Sequence, residues 1–245
     1  MKEKPHEPGG KDYFATTRWT VVLAAGDRTP EADQALAQLC QLYWSPLYAF
    51  LRRKGHQPAE AEDIVQGFFV RLIEKSALSA ADPHRGRFRS FLISSLQNFV
   101  ANRRDFQQAH RRGGRVRTFN LDFQAAEKAY HREPWSDLTP EKIFDRRWAL
   151  DLLNLVLTQL QREQTKAGKS KLFERLRPSL TGDEDGAGHA QIAAELGLSV
   201  DAVKMAASRL RKRYRELLRQ TIADTVASPE EVDDELRDLI GALSG

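Results

Sequence analysis

Apolar positions recur along most of this chain at the three- and four-residue spacing of helices that face a core on one side. In "EADQALAQLCQLYWSPLYAFLRRKG", Leu36, Leu39, Cys40, Tyr43, Trp44, Leu47, Tyr48 and Leu51 share that spacing. Pro46 is expected to kink that helix or divide it. Gly55 supplies a stop, and Pro58 fits the first position of the next helix. That helix, "PAEAEDIVQGFFVRLIEK", opens with acids and gathers Ile64, Val65, Phe68, Phe69, Leu72 and Ile73 on one side. A loop containing "DPHRGR" leads into a third helical stretch, "FRSFLISSLQNFVANRRDFQQAHRR". Period-two alternation is absent and β-branched content is low, so the fold class is all-α.

From Gly113 to Thr139 the pattern turns irregular, as in a linker with room for one short helix. Thr139-Pro140-Glu141 then predicts a helix start, with threonine as N-cap and proline at the first position. Ile143, Phe144, Trp148, Leu152, Val156 and Leu160 continue that helix. Another is expected around Leu172 to Leu180, closed by "TGDEDGAG". Near the end, Ser228-Pro229-Glu230-Glu231 has the residues of a capping box. It precedes an acidic amphipathic helix with Val232, Leu236, Leu239 and Leu243.

One stretch, "HAQIAAELGLSVDAVKMAASRLRKRYREL", carries more than periodicity. Ala193 is followed four residues on by Gly197 and ten residues on by Val203. These are the small residue at a crossing, the turn residue tolerant of positive φ, and the apolar residue that returns a second helix to the core of a helix-turn-helix. Ile192, Leu196 and Leu198 are expected to complete the buried side, with Ser199 as N-cap. The outward side then offers Ser199, Asp201, Lys204, Met205, Ser208, Arg209, Arg211 and Lys212 to the phosphates and base edges of a major groove. Asp201 has the wrong sign for phosphate. It can accept from a cytosine amino group or favour the helix N-terminus.

Charge changes the picture. The 245 residues carry a net charge of only +4, but seven acids and one Arg from Gln220 onward set an acidic tail against a basic remainder. The arginines cluster at Arg103 to Arg117 and at Lys204 to Arg219, which points to a polyanion partner. "HRRGGRVR" reads equally as an electrostatic nucleic-acid contact or a basic linker. With 41% hydrophobic and 29% charged residues the chain is globular. No apolar run reaches the roughly 18 residues of a membrane span, and "MKEKPHEPGGKDYF" lacks the apolar stretch of a signal peptide. Cys40 is the only cysteine, which excludes an intrachain disulfide and suits a reducing cytoplasm. Six histidines without ligand spacing argue against a metal site, and no phosphate-binding glycine loop or nucleophile elbow appears. No cofactor and no enzymatic activity are expected.

Two upstream stretches give the DNA-binding pattern a context. "AEAEDIVQGFFVRLIEK" (59–75) followed by "GRFRSFLISSLQNFVANRRD" (86–105) resembles the second conserved region of bacterial RNA polymerase sigma factors, most closely the extracytoplasmic-function type. Glu62-Asp63, Gln66, Phe88, Phe91-Leu92, Asn98 and Arg103 carry the likeness. The 189–219 stretch resembles the fourth region of the same proteins. Gly67, Asn102, Gln191 and Phe91 depart from the residues usual at those places.

The resemblance implies two small helical domains joined by a long linker: an extension over 1–29, a region 2-like domain over 30–112, a linker over 113–139, a region 4-like helix-turn-helix domain over 140–220, and an acidic tail over 221–245. It implies a cytoplasmic factor that directs core RNA polymerase to promoters. An anti-sigma protein or a kinase is a further partner to expect. Glu60, Glu62, Asp63 and Gln66 would meet the polymerase, although acids in a first turn also compensate the helix dipole. Arg89, Asn98, Asn102, Arg103 and Arg104 would hold the melted promoter. Phe88, Phe91 and Phe99 either stack on bases or, as their helical spacing favours, fill the core. The tail either docks its apolar stripe or masks the basic recognition helix. The rival reading is a stand-alone helix-turn-helix regulator.

Overall fold

The computed structural model describes residues 30–74, 88–102, 121–132, 137–181, 188–226 and 228–244, which form helices and turns without a strand. In order these are α1 (Pro30–Arg53), α2 (Pro58–Glu74), α3 (Phe88–Ala101), α4 (Phe123–Arg132), α5 (Pro140–Lys166), α6 (Ser170–Leu176), α7 (Pro178–Thr181), α8 (His189–Leu196), α9 (Val200–Ala223) and α10 (Val232–Ser244). The expected all-α class is therefore what the described residues form. Arg103 and Arg104, like residues 113–120 and 133–136 of the expected linker, lie outside them, as do the side chains of Leu36, Leu39 and Ile73.

The long helix α5 organises the molecule. It buries Ile143, Phe144, Trp148, Ala149, Leu152, Val156, Leu157 and Leu160, an apolar stripe wide enough to serve more than one neighbour. Its most extensive partner is α1, and it also packs on α9 and α10. At the α1 junction, Tyr43 meets the edge of Phe88 from α3 at 5.2 Å and stacks with Phe144 at 6.4 Å between ring centres. One continuous core thus runs from Cys40 and Leu72 through Trp148 to Val203 and Leu239. The helices expected in two separate units share this core, because the broad stripe of α5 covers both.

The short helix α4 sits in the stretch expected to be a linker. Its Glu127 accepts from Arg52 Nε and from the Tyr48 hydroxyl, at 2.9 and 2.7 Å, which fastens it to α1. Phe123 packs edge-on against Trp44 at 5.1 Å.

Several local expectations need correction. Pro46 does not divide α1, which is helical from Pro30 to Arg53. The burial of Tyr43, Leu47, Tyr48, Phe50 and Leu51 outweighs the one backbone hydrogen bond that proline forfeits. The helix expected around Leu172 to Leu180 is two, separated where Pro178 opens α7. Ser228 makes no cap bond to a backbone N–H. Its hydroxyl faces the Glu231 carboxylate instead, and Pro229–Glu231 forms a single 3₁₀ turn. Thr139 does cap α5, its Oγ1 accepting from the Lys142 backbone N–H at 3.3 Å.

Candidate functional site

Four regions bear on function: the polar face of α2, a small pocket between α2 and α3, the surroundings of Arg89, and the outer face of α9. On α2, Ala61, Ile64, Val65, Phe68 and Phe69 are buried, which leaves Glu60, Glu62, Asp63 and Gln66 on the opposite side. Glu60 lies 3.1 Å from His56 Nδ1, and Gln66 donates to Glu62 at 3.2 Å. Asp63 is exposed. The four residues therefore form one partly exposed strip, in which Gln66 and Glu62 are joined across one turn.

Beside it, Phe68, Arg71 and Leu72 of α2 face Ser95, Asn98 and Phe99 of α3 and Asn102 just beyond it around a cavity of about 170 Å³. Asn98 and Asn102 are exposed, and the Asn102 amide donates to the Asn98 carbonyl at 2.9 Å. Arg71 stands 5.9 Å from the centre of the Phe99 ring. The pocket thus combines amide donors and acceptors, a cation and an aromatic edge. Phe88 and Phe99 are core residues, at 1% and 5% exposure, and Phe91 is half-buried against Phe88. Asn98 and Asn102 are expected from the sequence, and Arg71 and Ser95 are not. Arg71 sits three residues after Phe68 and one turn along the same face, so periodicity alone held that signal.

Arg89 requires a correction. Expected at the melted strand, it is instead buried at 6% exposure, with its guanidinium 4.7 Å from the centre of the Trp148 ring. It donates to Asp145 of α5 at 3.0 Å and to Glu235 and Asp238 of α10 at 3.1 and 2.6 Å. Glu235 is 1% exposed, so an isolated carboxylate there would be costly, and the guanidinium offsets that cost. The same carboxylate, after burial itself, helps push the Tyr43 phenol above its ordinary range. In this arrangement the Arg89 guanidinium is engaged by three carboxylates and the Trp148 ring.

The α8–α9 pair has the geometry its spacing predicts. Gly197 adopts φ of +65°, a left-handed conformation that favours glycine, and the Leu198 N–H bonds back to Ala193 at 2.9 Å. Ala193 and Val203 are buried, and Ser199 Oγ accepts from the Ala202 N–H at 3.2 Å. Leu198 differs from expectation: it is 41% exposed, because the left-handed turn swings it away from the core. Asp201, Lys204, Met205, Ser208, Arg209, Arg211 and Lys212 are all exposed. Lys204, Ser208, Arg211 and Lys212 follow helical spacing, so most of these cations share one face. Further along, Arg213 forks onto Glu163 of α5 at 2.7 and 2.9 Å, which lowers the glutamate's affinity for its proton. Among the described residues, the acidic tail does not cover the basic face. Its ion pair with α9 is Asp233 to Arg219 at 2.6 Å, near the far end of the helix.

Among the described residues, no helix is long and apolar enough to cross a membrane, and no group of His, Cys, Asp and Glu could hold a metal ion. Against known families, residues 39–110 match the family described as sigma-70 region 2. That span runs from α1 through α3 and contains both the α2 strip and the Asn98 pocket. It supports a role of the sigma-70 kind, in promoter recognition and transcription initiation with core RNA polymerase. No curated protein and no solved structure matches the chain.

Proposed function

With a sigma-70 region 2 match across residues 39–110 as the premise, we propose that this chain is a sigma factor of the extracytoplasmic-function type. The α2 strip of Glu60, Glu62, Asp63 and Gln66 meets a basic surface of core RNA polymerase. Asn98 and Asn102 take an unstacked promoter base into the pocket between α2 and α3, where amide edges can read it and Arg71 can hold its phosphate. Arg103 and Arg104, next in sequence, are assigned to the same melted strand. Ser199, Asp201, Lys204, Met205, Ser208, Arg209, Arg211 and Lys212 read duplex DNA upstream, with α9 in the major groove. The protein supplies recognition and opening, and the polymerase supplies the chemistry. A sigma factor works in the cytoplasm, and the two proposed DNA-binding units are those expected over 30–112 and 140–220.

The observation that carries this reading is that the matched span contains both a partly exposed acidic strip and a polar pocket lined by Phe68 and Phe99. The exposed basic face of α9 by itself would equally suit a stand-alone regulator. Mixing the purified chain with core polymerase and a genomic promoter library, then sequencing the transcripts, separates the two. A sigma factor yields initiation at one shared two-part promoter, and a repressor or activator yields none.

A further inference from the structure

The C-terminal helix has no part in that function, yet its contacts are specific. Its carboxylates fall into two sets. Asp233 and Asp234 face outward and pair with Arg219 and Arg237. Glu235 and Asp238 turn inward to Arg89, which lies 146 and 149 residues earlier on α3. Docking alone would need only the apolar stripe of Val232, Leu236, Leu239 and Leu243. Burying a glutamate at 1% exposure adds a cost that a leucine would not, so the helix trades stability for a specific pairing.

The pairing is also reachable from outside. A cleft of about 300 Å³ opens between α5 and α10, lined by Arg89, Lys142, Asp145, Arg237 and Asp238. Asp238 is 43% exposed, so the outer arm of the network meets solvent while Glu235 seals the inner arm. Lys142 and Arg237 line the cleft together with Arg89 and give an entering anion two further cations. Asp145 and Asp238 line the same cleft, so one phosphate gains little unless the strand that bears it is also gripped elsewhere. The Asn98 pocket lies on the same helix, α3, nine residues along.

We propose that α10 is an intramolecular latch. In the free protein Glu235 and Asp238 occupy Arg89. The phosphate backbone of single-stranded DNA displaces them through the cleft flanked by Lys142 and Arg237. The proposal rests on the reading that α3 meets melted DNA, and it moves the tail's target from the α9 recognition face to α3. The latch delays strand capture and leaves duplex reading by α9 untouched.

The test uses the full chain and a fluorescein-labelled single-stranded oligonucleotide of mixed sequence, with binding followed by anisotropy at fixed salt. Glu235→Gln with Asp238→Asn should tighten binding about tenfold, the scale of one lost charge-assisted competitor. Glu230→Gln with Asp233→Asn removes the same charge from exposed acids of the tail that do not line the cleft and should change affinity less than about twofold. Adding Arg89→Gln to the first variant should return it to the wild-type value. Affinity for duplex of the same sequence should not move. Equal gains from both pairs of substitutions, or a gain that survives Arg89→Gln, would overturn the latch.

If the inner variant does not fold, hydrogen exchange of the wild type decides. Amides of 235–244 should lose protection with the single strand and keep it with duplex, and unchanged protection with both rejects the proposal. Capture of the wild type on immobilised core polymerase tests the underlying function separately. Capture without an anisotropy gain sinks the latch alone, and no capture sinks the sigma reading whatever the anisotropy shows.

Discussion

Arg89 and the arginines of α9 look alike on paper, as cations on helices expected to touch DNA, and the fold treats them in opposite ways. Arg89 lies over Trp148 among three carboxylates, at 6% exposure. Arg209 and Arg211 stand in solvent on a face that no acid of the tail approaches among the described contacts. A basic residue therefore has two kinds of value here. One is spent inside the molecule, holding a distant helix in place. The other remains available to a partner.

Stability is the sharpest way to break this comparison. Arg89→Ala strands Glu235 in the core and should cost about 3–5 kcal/mol in urea unfolding. A loss under about 1 kcal/mol would mean that Arg89 is no more committed than a surface residue. The turn that presents α9 comes next. Gly197→Ala forces an L side chain into φ of +65° and should cost about 1 kcal/mol, without altering the unfolding slope.

The Arg213–Glu163 fork lies between the two extremes, with side chains 42% and 33% exposed. Solvent screening limits it to about 0–1 kcal/mol, measured as the difference between wild type and Glu163→Gln. The hydrogen bonds from Arg213 hold the Glu163 carboxyl below its ordinary carboxylate value. The contribution is therefore fully present above that value and is lost as pH falls through the lower, folded one. The wild-type advantage over Glu163→Gln should vanish in that acid range, and an advantage that grows there would contradict the assignment.

The smallest effect on stability belongs to α9 itself. Arg209→Ala should stay within about 0.5 kcal/mol of wild type in unfolding. It should weaken duplex binding across sequences and lower the salt slope by about 1. Equal behaviour of Arg89→Ala and Arg209→Ala in both assays would erase the distinction.

What the sequence made legible follows the range of each interaction. The Ala193, Gly197 and Val203 spacing, the Ser199 cap and the Thr139 cap depend on residues within ten positions, and the structure has each of them. The α2 strip was likewise readable, since burial of Ile64, Val65 and Phe68 decides which side faces out. Partners were not readable. An apolar stripe declares that a helix is covered and does not name its cover, so the role of α5 in joining both halves escaped notice. Arg89 fails for the same reason: its carboxylates sit 56 to 149 residues away, and charge counted along the chain cannot show that they converge. Pro178 and Ser228 mislead at short range, where alternative local hydrogen bonds compete closely.

The indole beneath Arg89 gives the molecule an optical gauge of its own state. Trp148 is wholly buried while α10 is closed, and its ring lies against a guanidinium. When α10 lifts, water reaches that ring and the cation above it changes partners. Trp44, edge-on to Phe123 and away from α10, keeps its surroundings. Opening should therefore shift tryptophan emission to the red without any attached dye, and stopped-flow mixing with single-stranded DNA would time it.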